Sequence, residues 1–73
     1  MGNSFDGWEL INVLHHMETL VDGDGIAHTY SFYIRKGDSF ANVVVSLVSG
    51  IDNAPSQALI DELSSLPKYG ERR

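Results

Sequence analysis

Cysteine is absent from this chain of 73 residues. No disulfide and no thiolate–metal centre can therefore staple it. No apolar run exceeds the three residues of Val43-Val44-Val45, far short of the roughly 20 that span a bilayer as a helix. The N-terminal residues show no basic segment followed by an apolar stretch, so no signal peptide is expected. Asp6 stands where a myristoylation motif needs Ser or Thr, and no Asn-x-Ser/Thr triplet occurs. Together these absences read as a cytoplasmic protein.

Positive charge is also missing over a long stretch. Residues 1–34 hold Asp6, Glu9, Glu18, Asp22 and Asp24 and no Lys or Arg, while residues 35–73 are balanced, which leaves the chain at a net charge of −5. An acidic half argues against non-specific nucleic-acid binding, which needs a cationic face, and suits a basic protein partner. Apolar residues make up 42% and charged residues 21%, the composition of a folded domain rather than a disordered chain. A chain this short buries only roughly 60% of its unfolded surface, so one core, a partner subunit, or both must hold it. Residues 1–5 read as a leader, 6–67 as a single compact domain and 68–73 as a mobile tail.

Local patterns divide the domain. Asp6 and Glu9 form a capping box flanked by Phe5 and Leu10. Leu10, Val13, Leu14, Met17, Leu20 and Val21 follow as one apolar stripe, and the pattern predicts a helix over 6–21. Ile26 to Arg35 alternate apolar and polar residues with period two, which predicts a strand over 27–35. Residues 40–51 suit either of two structures. Val43-Val44-Val45 fits a second strand of a hairpin across Gly37, but a helical wheel separates Phe40, Val43, Val44, Leu47, Val48 and Ile51 from Asn42, Ser46 and Ser49 more cleanly. The period favours a helix over 39–50. A last helix is predicted over 54–66, with Asn53 as its cap and Pro67 as its stop. The sum is a mostly helical α+β domain of three helices and one strand.

No enzyme signature stands out. Asp22-Gly23-Asp24-Gly25 fails the ligand spacing of a calcium loop in either register. His15 and His16 point to different sides of a helix and cannot chelate together, and a zinc site would need His28 and distant carboxylates. No nucleophile motif, phosphate loop or catalytic carboxylate pair appears. The chain therefore reads as a non-enzyme with no cofactor and no metal. Two features favour binding. A lone strand leaves backbone donors and acceptors unpaired, so Thr29, Ser31, Tyr33 and Arg35 stand on a strand edge awaiting a homodimer or a target protein. Trp8, Ile11 and His15 form a ridge on the first helix beside Glu18, and Trp is the residue type most enriched at binding hot spots.

The order strand, helix, helix over residues 28–66, with Gly50-Ile51 followed by Ala58-Leu59-Ile60, is loosely similar to ribbon-helix-helix DNA-binding repressors. That resemblance implies that Thr29, Ser31, Tyr33 and Arg35 would face DNA. Only Arg35 among them is basic, and a full helix would precede the strand, unlike that family. In general character the acidic, cysteine-free chain resembles small antiactivators of quorum-sensing and conjugative-element circuits. This second resemblance implies a regulatory protein that sequesters a transcriptional activator through a basic surface.

Overall fold

The computed structural model describes residues 5–21, 25–49 and 54–70. Its elements are β1 (Glu9–Thr19), β2 (Ile26–Lys36), β3 (Ser39–Val48) and α1 (Ala54–Ser64). The strands form one antiparallel sheet in the order β1-β2-β3. Lys36 pairs with Ser39 across Gly37-Asp38. Gly37 adopts a φ of 61° and Asp38 a negative one, the pattern of a type II′ turn that matches the natural strand twist.

Two of the three expected helices are strands, and each has a physical reason. In β1, Leu10 lies opposite Ile34 and Asn12 opposite Tyr33, with Ile11 as an extra residue in a bulge. The bulge puts Leu10 and Val13, three residues apart, on the same face of the sheet, and the alternation then continues through His15 and Met17. A spacing of three followed by short steps imitates a helical stripe. In β3, Phe40, Val44 and Val48 line one face and Ala41, Val43, Val45 and Leu47 the other, as their pairing with β2 dictates. Both faces are largely apolar, so the strand reads as a helix with a wide apolar arc. The alternative hairpin across Gly37 is the one formed. The strand expected at 27–35 is present as β2, and the last helix is present as α1. Asn53, its expected cap, and Asp22-Gly23-Asp24 lie outside the described residues.

The strand–helix–helix order behind the ribbon-helix-helix resemblance is absent, because 39–48 is a strand. β2 is also the central strand rather than an edge. Its even-numbered residues bond to β3, as Ser49 N–H donating to Ile26 O at 3.0 Å shows, and its odd-numbered neighbours bond to β1, as Leu20 N–H donating to Gly25 O at 3.2 Å shows.

The helix packs on one face of the sheet. Leu10, Phe32, Ile34 and Val45 from the strands meet Ile60, Leu63 and Leu66 from the C-terminal segment, and these seven are the buried apolar residues among those described. Pro67 ends the helical run. The chain then runs beside the start of β1, where Leu10 N–H donates to Pro67 O at 2.8 Å and Tyr69 N–H donates to Leu10 O at 2.9 Å. Lys68 and Tyr69, read from the sequence as part of a mobile tail, thus extend the sheet by one parallel bridge.

Leu14, assigned to the core by its helical stripe, is 54% exposed on the face away from α1, whereas Leu63 is wholly buried. Leu63→Ala should cost about 2–5 kcal/mol through the cavity it leaves. Leu14→Ala should cost under about 1 kcal/mol. Urea unfolding of the two variants measures both, and equal losses would contradict the facing of β1.

Candidate protein-binding surface

The expected ridge of Trp8, Ile11 and His15 is dispersed, because β1 is not a helix. Trp8 precedes β1 and is half-buried against the core cluster. Ile11 is the exposed bulge residue. His15 lies on the helix-side face, and Glu18, of opposite parity, lies on the other face near the far end of β1. Thr29, Ser31, Tyr33 and Arg35 do share one face, the one turned away from α1. They occupy its middle row rather than an edge.

That middle row is flanked on both sides. Thr29 sits between His16 and Ser46, Ser31 between Leu14 and Val44, Tyr33 between Asn12 and Asn42, and Arg35 between Glu9 and Phe40. Thr29 and Ser46 share a hydroxyl contact of 3.5 Å. Arg35 is tied down: Nη1 lies 3.5 Å from Glu9 Oε1, Nη2 donates to Gly37 O, and the guanidinium lies 4.5 Å from the centre of the Tyr69 ring. The one cation of the row is therefore spent inside the molecule. Around Tyr33, an open depression of about 600 Å³ is lined by Ile11, Leu14, Phe40 and the Asn12 and Asn42 side.

A second hollow, of about 360 Å³, adjoins Trp8 between the N-terminal segment and the end of α1. Asp6, Glu9 and Glu62 rim it. An aromatic ring with carboxylates around it suits a cationic side chain in both its flat and its charged parts. Sequence reading placed Trp8 among the binding residues but missed Glu62, which only the return of α1 brings near.

The outer edge of β1 was hidden from the sequence by the helical reading. Its even-numbered residues from Leu14 to Leu20 bond to β2, so Val13, His15, Met17 and Thr19 direct their N–H and C=O groups outward. Val13 N–H is capped by Asn12 Oδ1 at 2.9 Å. Among the described residues, only the segment at Lys68 pairs with this edge, at Leu10. Above the edge, on the helix side, lie the side chains of Val13, His15 and Met17. α1 does not reach them, and Met17 is 58% exposed. An edge of this kind is a template for another strand, and it carries neither Lys nor Pro to discourage one.

The contact between His16 Nε2 and Glu18 Oε1 is long, at 3.8 Å, and solvent-exposed on both sides, where ion pairs contribute little. Comparison with protein-family models, with curated proteins and with solved structures found no match.

Trp8→Ala should destabilise the fold by about 1–3 kcal/mol, because the indole packs against the core cluster. A chemical melt showing a loss below about 0.5 kcal/mol would instead make Trp8 a free surface residue.

Proposed function

We infer that this chain is a non-catalytic regulatory protein that binds a partner protein by adding the partner's strand to the outer edge of β1. The observation that carries the reading is the row of outward backbone groups at His15, Met17 and Thr19, with an uncovered apolar margin beside it. Strand addition takes its affinity from main-chain hydrogen bonds and its selectivity from the side chains that alternate beside them. The partner is basic, since residues 1–34 carry five acids and no Lys or Arg, and like charge disfavours a second copy at the same edge. The Trp8 hollow with Asp6 and Glu62 would receive a cationic side chain of that partner.

The concrete version is an antiactivator that masks a transcriptional activator's basic surface in the cytoplasm. Among the described residues no helix is long and apolar enough to cross a membrane. Direct DNA binding is disfavoured by the net charge of −5 and by the internal engagement of Arg35. A mobility-shift assay with duplex DNA at physiological salt should show no complex. Sub-micromolar binding that weakens with salt would overturn the reading.

The edge itself is tested by Met17→Pro. Proline there removes an outward N–H and leaves the ladder to β2 intact, a position where strands tolerate it. Affinity purification from the native host, with mass spectrometry, should recover a basic protein with the unaltered chain and lose it with Met17→Pro. Leu14→Lys, on the face away from α1, should retain it. Loss with Leu14→Lys and retention with Met17→Pro would move the site to that other face.

A further inference from the structure

On the helix-side face beyond the reach of α1, two imidazoles from neighbouring strands meet, with Met17 in the adjoining register position. His15 Nε2 and His28 Nδ1 share a hydrogen bond of 2.9 Å, one ring nitrogen donating to the other, and a cation between them would take the place of that proton. The ring centres are 5.2 Å apart and the planes differ by 19°. The close nitrogens therefore lie between the two centres, and the rings meet edge to edge with their ring nitrogens facing. The Tyr30 ring lies parallel to His15 at 4.2 Å and 6° and fixes the imidazole plane. Met17 is the cross-strand partner of His28 and stands two residues from His15 on the same face. In the alternation of this ladder, Met17 and His28 form a pair without mutual hydrogen bonds, the class whose side chains stand closest. The flexible thioether of Met17 can swing over the gap between the rings.

We propose that His15, Met17 and His28 bind a soft monovalent d10 cation, of which copper(I) is the biological example. The donor set decides the class. The thioether favours a soft cation, the borderline imidazoles accept one, and hard cations require oxygen ligands. Glu18, the nearest carboxylate along β1, belongs to the opposite face. Among the described residues, no three or more His, Cys, Asp or Glu side chains gather as a closed zinc site would require. Two facing nitrogens suit a near-linear arrangement around the cation, with sulfur as a third ligand from the side. At a metal–nitrogen bond of about 2 Å each, the rings need to part by only about 1 Å, and His15 and Met17 are exposed enough to allow it. Cross-strand placement supplies the preorganisation: the sheet ladder holds both backbones, so the cation orders few side-chain torsions. The proposal shares His15 and Met17 with the margin of the protein-binding edge, but its test reads side-chain signals of the free chain and not the capture of a partner.

Silver(I), which is stable in air and matches copper(I) in softness and geometry, is the probe. It is titrated into the full chain and followed by NMR of the histidine rings and methionine methyl groups. One equivalent should saturate the site, with the His15 and His28 ring signals and the Met17 methyl moving together and His16 unmoved. His28→Ala should weaken binding at least tenfold and Met17→Leu at least fivefold, with the backbone amide spectrum of each variant still that of the folded sheet. Zinc(II) should bind more weakly than silver(I). Unchanged affinity in His28→Ala, equal or tighter binding of zinc(II), or a His16 shift in step with His15 would each overturn the proposal. The shift pattern of the unaltered chain decides the matter even if a variant unfolds.

Discussion

One short helix has to cover a sheet much longer than itself, and the rest of the molecule follows from that mismatch. An eleven-residue helix is about 16 Å long. Strands of ten and eleven residues reach about 33–36 Å. The helix can therefore seal only part of one face. It seals the part where Phe32, Ile34 and Val45 meet Ile60, Leu63 and Leu66, and its continuation through Pro67 to Tyr69 fastens to β1 at Leu10. The core is small but closed at that end, and Glu9, Arg35 and Tyr69 lock the same end from the other face.

The opposite end of β1 receives none of this cover. Val13, His15 and Met17 keep their apolar and aromatic surfaces in water, and the backbone beside them keeps its outward donors and acceptors. Burial is withheld where partners would gain most from supplying it. A strand added at this edge would pair backbone groups and shelter apolar side chains in the same step. The face turned away from α1 is uncovered too, but there the backbone groups of its middle strand are already satisfied on both sides, so only side chains are on offer.

The sequence pattern revealed β2 and α1 because each shows a single undisturbed period. Ile26 to Arg35 alternate without interruption, and Leu59, Ile60, Leu63 and Leu66 keep helical spacing up to Pro67. β1 was illegible because the bulge at Ile11 breaks its alternation after two residues and mimics a helical step. β3 was illegible because its outward face carries Phe40 and Val44, so alternation of polarity, the usual mark of a half-buried strand, is missing. The binding residues suffered in proportion. Trp8 stays beside a plausible cation hollow because it precedes β1. Ile11, His15 and Glu18 were placed by a helical wheel that does not exist. Thr29, Ser31, Tyr33 and Arg35 were correctly read as one face, yet their status as an edge depended on how many strands flank β2, which is a non-local property. The approach of His15 to His28 is likewise set by the β1–β2 register and by nothing local to either residue.

The central claim is that β1, from Leu14 to Thr19, is hydrogen-bonded on one side only. Residue-resolved amide hydrogen exchange on the free chain tests it most directly. The amides of Leu14, His16 and Glu18, which bond to β2, should exchange far more slowly than those of His15, Met17 and Thr19, which face water, so that protection alternates along the strand. Uniform protection from Leu14 to Thr19 would mean that the edge is already occupied, and uniformly fast exchange would mean that β1 does not pair with β2.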